Sequence, residues 1–217
     1  MRVSLGAVVV AAIVVGSSKS QAQLCLGAAS FSAGPMRIGA AFDVGDQAKG
    51  YGAEFAVGRP KGAFGSAGVT SISYDGVSGN ATSFNVSAGY SVDTDSKGKA
   101  QFCPVAQFAY EKQPDFDEFE SSVNSFGLGG ALGGIMSSSP SFDFVPFVSG
   151  MFVRATISAS GGGFSESDSE NYGVLSIGAG FVMNHTVTLR PTASFPVGLE
   201  GAKPSFGLSL GFNFGSR

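Results

Sequence analysis

What this sequence is short of sets the first limits. Its 217 residues include no tryptophan, one histidine and two cysteines, and Asp, Glu, Lys and Arg together make up 13%. A typical soluble domain carries about 25% charged residues, so this composition does not build an ordinary water-facing surface. Beyond the N-terminus no apolar run approaches the roughly 20 residues of a transmembrane helix, which excludes a helical membrane protein. One histidine and two cysteines fall short of zinc-ligand spacing. His185 stands alone in a turn-like Asn184-His185 pair, where a Ser/His/Asp arrangement needs facing partners. Net charge is −3, with no basic patch interleaved with aromatics, which argues against nucleic acid. No enzymatic activity, metal site or cofactor is expected.

What is present is glycine, 33 residues, and phenylalanine, 20 residues. The N-terminus reads as a targeting segment. Arg2 supplies a positive start, Leu5 to Val15 a short apolar core, and Ser20-Gln21-Ala22 a small-x-small cleavage pattern, predicting a cut after Ala22. Leu24 stands before Cys25 where a lipoprotein requires a small residue. Residues 1–22 are therefore expected to be a signal peptide, 23–35 an N-terminal periplasmic segment and 36–214 one domain. Export allows Cys25 and Cys103 to form a disulfide, with two separate thiols as the alternative.

The domain is one alternating segment after another. Phe206, Leu208, Leu210, Phe212 and Phe214 alternate with Gly207, Ser209, Gly211 and Asn213. A period of two puts all five apolar side chains on one face of a strand. Segments 82–92 and 186–195 repeat the pattern, with Pro191 a blemish because it cannot donate to a ladder. Weaker versions occupy 36–44, 49–58, 63–74, 100–111 and 173–183. In 63–74 the apolar face is read as Phe64, Thr70, Ile72 and Tyr74, with Val69 out of phase. In 122–157 two phases compete: Phe142, Phe144, Val148 and Phe152 against Val145, Phe147, Met151 and Val153. A β-bulge is one way to reconcile them.

About ten strands result, with eight also open. Arg59–Gly62, Ser137–Pro140 and Asn184-His185 read as short connections. Gln113–Ser121 and Ser158–Glu170 read as longer, acidic loops on the opposite side, which is the outer-membrane arrangement. A soluble barrel alternates too, so the other face decides. Here that face is mostly Gly, Ser, Ala, Asn and Thr, suited to a crowded lumen, while Phe, Leu, Val and Ile suit lipid. Tyr51, Tyr74 and Tyr110 at one set of strand ends and Tyr90, Phe102 and Phe212 at the other resemble two interfacial girdles. The predicted fold is all-β: a closed antiparallel up-and-down transmembrane β-barrel.

Over residues 36–214 the chain resembles the small bacterial outer-membrane barrels of the OmpA/OmpX-like type. Ser205, Gly207, Leu210 and Phe212 match the order of the terminal assembly signal of such barrels, although this chain continues through Gly215-Ser216-Arg217. The resemblance implies residence in the outer-membrane bilayer and insertion by the barrel-assembly machinery. A monomer is expected.

The predicted inward face carries Arg37, Asp43, Lys49, Glu54, Arg59, Glu111 and Arg190, joined by Arg154 if the even phase holds in its strand. Ions inside a membrane are costly unless paired or hydrated. Arg37, Glu54 and Arg190 lie on strands that closure brings together, so a lumen-filling cluster is expected, with separate solvated side chains as the alternative. Cys103, on the inward face near the start of its strand and so near the predicted periplasmic rim, lies on the same side as Cys25; a bridge would tuck residues 23–35 into the barrel mouth. Asp115, Asp117, Glu118 and Glu120 lack EF-hand order and read as a solvated loop. The leading functional reading is a non-enzymatic structural or surface-interacting barrel with acidic outward loops. A narrow small-solute channel or carrier and a soluble secreted ligand-binding barrel are the alternatives.

Overall fold

The computed structural model describes residues 24–28, 34–59, 61–97, 99–114, 120–139, 141–161 and 164–215. Residues 1–22, read from the sequence as a signal segment, and the positions Asp115, Asp117 and Glu118 lie outside them.

After a short 3-10 turn, Leu24–Leu26, the chain is a succession of strands: β1 Met36–Val44, β2 Ala48–Gly58, β3 Gly62–Tyr74, β4 Asn80–Asp93, β5 Ala100–Lys112, β6 Glu120–Gly134, β7 Ser137–Ser139, β8 Phe142–Gly161, β9 Phe164–Met183, β10 Val187–Val197 and β11 Ser205–Phe214. Ten long strands pair antiparallel in chain order, and β1 pairs β11 from Met36↔Phe214 to Val44↔Phe206, which closes the ring. Closure removes every edge within the barrel wall, so the strands satisfy each other's backbone groups where no water is at hand. β7 is a three-residue ladder against Phe142–Phe144 inside the β6–β8 connection, which the sequence presented as a plain turn.

Two ladders lapse, and both lapses sit at prolines. β4–β5 pairing skips from Gly89↔Val105 to Val92↔Phe102 beside Pro104, and β9–β10 skips from Leu189↔Phe181 to Thr192↔Gly178 beside Pro191. Proline has no N–H to donate there. The turns follow local chemistry. Asn184 and His185 both take positive φ, 50° and 56°, with Thr186 N–H bonded to Met183 O, the geometry that two-residue hairpins need. In the β4–β5 turn the Asp95 carboxylate accepts the N–H groups of Lys99 and Ala100 at 2.7 and 2.9 Å. Those backbone donors hold its carboxyl below the ordinary aspartate value.

Several expectations are corrected. β3 is phased the other way: Phe64, Thr70, Ile72 and Tyr74 are buried in the lumen, and Val69 faces out. Tyr74 therefore belongs to no girdle, whereas Tyr51, Tyr90 and Tyr110 are exposed outward. β8 has no bulge. Its register is continuous with both neighbours, the even set Phe142, Val148 and Phe152 facing out and Asp143, Val145 and Val153 facing in. Both faces are apolar there because both have apolar neighbours, lipid outside and packed side chains inside. Arg154 follows the even set and points outward; Lys49 shares the outward phase of Tyr51; Arg59 is exposed at the β2–β3 turn. Finally, residues 158–161 and 164–170, read as loop, are strand. β8 and β9 are each 20 residues long and stay paired to Gly161↔Phe164.

Candidate functional site

The inside of the barrel divides into a stoppered mouth, a charged middle and a polar far end. The start of β1, the end of β11 and the β2–β3, β4–β5, β6–β8 and β9–β10 connections share one rim, termed the terminal rim.

At the terminal rim the segment 24–28 enters the lumen. Cys25 is joined to Cys103 of β5 by a disulfide, with 6.0 Å between Cα atoms, and both are fully buried. Cys25 and Leu26 pack against Ala56, Phe64, Val105 and Ala131 from the wall. Arg190 donates from Nη1 to the Leu26 carbonyl at 3.0 Å and from Nε to Ser209 Oγ at 3.1 Å. Its guanidinium also lies 5.9 Å from the centre of the Phe147 ring, in cation–π range. The wall makes room with glycine: a Cβ on Gly180 would fall 1.9 Å from the carbonyl oxygen of Gly27.

The middle holds Arg37 and Glu54, whose charged ends are 3.7 Å apart and whose residues are 3% and 5% exposed. Arg190 and Arg37 both lie against β11, Arg190 bonded to Ser209 and Arg37 beside Gly211. The structure thus brings Arg37, Glu54 and Arg190 into one buried group. β11 accommodates it with small residues, since a Cβ on Gly207 would meet Asp43 Oδ1 at 2.4 Å and one on Gly211 would meet Arg37 Nε at 3.0 Å. Opposite charges in a low-dielectric interior are stable only when they are held near one another.

Toward the far rim, Tyr74 Oη donates to Glu111 Oε1 at 2.8 Å, and Gln113 Nε2 donates to the same oxygen. Leu199, from the β10–β11 connection, folds over Val123, Val153, Ala155, Tyr172 and Val174. The sequence pattern marks Glu111 as inward but not its partner Tyr74, because both faces of β3 carry apolar residues. Also unforeseen is the pair at the terminal rim between Asp143, 3% exposed, and His185, whose Nδ1 lies 3.0 Å from Asp143 Oδ2. The signal was in the odd phase of β8, which turns Asp143 inward. Among the described residues there is no grouping of His, Cys, Asp and Glu able to hold a metal.

The outer surface reverses the usual order of a soluble protein. Ile38, Phe55, Phe84, Leu128, Phe152, Leu175 and Phe206 are among the large apolar side chains standing exposed around the ring, while Arg37, Asp43, Glu54, Glu111 and Arg190 are buried inside. A belt of that extent exceeds any apolar patch a soluble monomer tolerates, and it fits the lipid-facing band of a membrane barrel. The protein is a transmembrane β-barrel. Of the terminal-strand residues, Leu210 and Phe212 lie on this belt, while Ser205 and Gly207 face the lumen.

No family model and no curated protein matches the sequence. Among solved structures the chain is similar to the N-terminal β-barrel domain of Pseudomonas aeruginosa OprF, at 13% identity and a TM-score of 0.41 over 82% of this chain and 96% of that one. It is similar to Ail, the attachment invasion locus protein of Yersinia pestis, at 15% identity and 0.41 over 82% and 96%. It is also similar to the translocator domain of the autotransporter NalP from Neisseria meningitidis, at 15% identity and 0.46 over 82% and 87%.

Proposed function

We propose that the protein is an outer-membrane barrel of a Gram-negative-type bacterium that works through its outward surface, without enzymatic activity. In this reading it is exported by cleavage after Ala22, inserted as a monomer by the barrel-assembly machinery using the Ser205–Phe212 strand, and oriented with its terminal rim in the periplasm. The observation that supports the surface role is the β8–β9 hairpin. β10 pairs β9 only from Gly173 onward, so residues 164–172 of β9 stand clear of β10 with one edge unpaired. That stretch carries Glu166, Asp168 and Glu170 and no basic residue. An open, acidic strand edge projecting from a membrane is suited to contact with another macromolecule. A channel reading is disfavoured by the contents of the lumen, which Arg37, Glu54, Arg190 and the segment 24–28 occupy.

Two measurements test this. Membrane fractions should hold the protein until detergent is added, and detergent-folded material should migrate differently before and after boiling. An epitope inserted at position 162 should be labelled on intact cells, and one inserted after Lys61 should not. Recovery in the soluble periplasm, or labelling of the second epitope only, overturns the reading.

A further inference from the structure

The lipid-facing belt is not evenly filled. Where β1, β2 and β3 reach the terminal rim, a groove of about 390 Å³ opens on the outer surface, with Pro35, Met36, Val57, Arg59, Ala63 and Gly65 among its lining. Met36 pairs with Val57, and Val57 with Gly65, in the outward phase of their strands. The floor is low because Gly65 and Ala63 stand where the facing strands carry Val57 and Tyr90. Two neighbours fix its depth. Tyr90 is 54% exposed, and a Cβ on Gly62 would lie 3.8 Å from its ring. Such rings settle at the boundary between acyl chains and headgroups. Arg59 lies beyond that boundary, exposed on the β2–β3 connection. The groove thus runs from the chain region to headgroup level with a guanidinium at its mouth. Among the described residues no carboxylate lines it. Lys61 of the same connection is held by Asp93, and Lys97 and Lys99 are exposed on the neighbouring β4–β5 connection. Against these four cations stand Asp93 and Asp95, and Asp95 is already engaged by backbone N–H groups.

We propose that this groove holds one anionic phospholipid, with an acyl chain along Val57 and Gly65 and its phosphodiester against Arg59. The position on the belt of a membrane barrel restricts the occupant to what surrounds that belt. A guanidinium forks onto two phosphate oxygens, which an ammonium cannot do, and its long stem reaches headgroup level while lying on apolar surface. The surplus of cations on the two adjoining connections favours a headgroup of net negative charge, such as glycerol phosphate. A choline headgroup would add a further cation to that surplus. A second copy of the chain is the poorer occupant. A two-fold contact over the groove presents the same patch from both sides, which brings two Arg59 side chains together with no carboxylate of the groove to pair them.

The test uses the mature protein folded in detergent and offered equal amounts of phosphatidylglycerol and phosphatidylcholine with the same acyl chains. Native mass spectrometry after release from the micelle should show a single retained phosphatidylglycerol, favoured over phosphatidylcholine by about fivefold, the scale of one charge-assisted contact. Arg59→Gln should remove that preference. Ala63→Leu narrows the groove without altering charge and should lower the retention of both lipids. Lys203→Gln removes a cation from the opposite rim, where it pairs with Asp46, and should leave the preference intact. Heat-modifiable migration verifies that each variant is folded. If Ala63→Leu does not fold, the contrast between Arg59→Gln and Lys203→Gln decides. The proposal is overturned if the wild type retains both lipids equally, if Arg59→Gln and Lys203→Gln lose the preference alike, if inorganic phosphate displaces the lipid, or if the wild type is a dimer that Ala63→Leu dissociates.

Discussion

Arg190 reaches across the lumen to the carbonyl oxygen of Leu26, 3.0 Å from its Nη1 and 164 positions away in sequence. That bond ties the penultimate long strand to a segment ahead of the first one. With the Cys25–Cys103 bridge, it makes residues 24–28 part of the barrel's interior. Reading the protein as an empty cylinder would miss this.

The seat of that segment is backbone against backbone, which makes Gly180 intolerant of any side chain. A Cβ there would sit 1.9 Å from Gly27 O, and neither chain is free to give way while the disulfide and Arg190 hold the segment. Gly180→Ala is expected to destabilise the folded barrel by about 1–3 kcal/mol, the range for overpacking. Denaturant unfolding in detergent measures it. The same substitution in a variant lacking residues 24–28 should cost much less.

The disulfide has a separate signature. Both sulfurs belong to fully buried residues, and the bridge spans 78 positions. A closed loop of that size stabilises by about 2–4 kcal/mol, chiefly by restricting the unfolded chain. Cys25→Ser with Cys103→Ser should lower stability by that amount and leave the ring closed, because β1–β11 pairing does not involve either residue. In the folded wild type, reductant should leave the bond intact, and free thiols should appear only on boiling in detergent. Ready alkylation of the reduced, still-folded protein would contradict the burial.

How much of this was legible depended on which neighbours each strand face meets. β4, β10 and β11 alternate cleanly because their lumen face meets small or charged groups and their outer face meets lipid. The Pro104 and Pro191 lapses follow from the missing N–H alone. β3 misled because its lumen side is itself apolar: Phe64 packs near Cys25, and Ile72 and Tyr74 pack with Ala48 and Ala81. A period of two reveals that faces differ, and cannot tell which apolar set meets lipid when both are apolar. β8 presents the same ambiguity in stronger form. Ser158–Glu170 was invisible as strand because outside the bilayer both faces meet water, so no alternation marks it. Its ladder is held by the β8–β9 pairing itself.

The ion pair of Arg37 and Glu54 predicts an asymmetry between single and double substitutions. Replacing Arg37 by Met removes the guanidinium that lies 3.7 Å from the buried Glu54, and breaking a buried pair in this way costs about 3–5 kcal/mol. Arg37→Met should therefore sharply lower the temperature at which the folded gel band converts to the unfolded one. Adding Glu54→Gln should restore part of the loss, since the second charge no longer needs compensation. Equal losses in the single and double variants would mean that the pair contributes through packing alone.

The apolar belt gives the sharpest division between a barrel in lipid and one in water. Leu128 is 52% exposed in mid-strand and faces outward between its cross-strand partners Ala106 and Phe152. In water, Leu128→Arg would be neutral or would improve solubility. In a bilayer the guanidinium must be dragged to the midplane or must snorkel, at about 2–4 kcal/mol. Ser167 on the projecting part of β9 is also exposed, yet no lipid surrounds it, so Ser167→Arg should stay within about 0.5 kcal/mol of the wild type. Folding yield and unfolding free energy in lipid vesicles, measured for both variants, separate the cases. A large loss at Leu128 with none at Ser167 is the expected result. Equal, small effects at both positions would mean that water surrounds the belt, and the membrane assignment would fall with it.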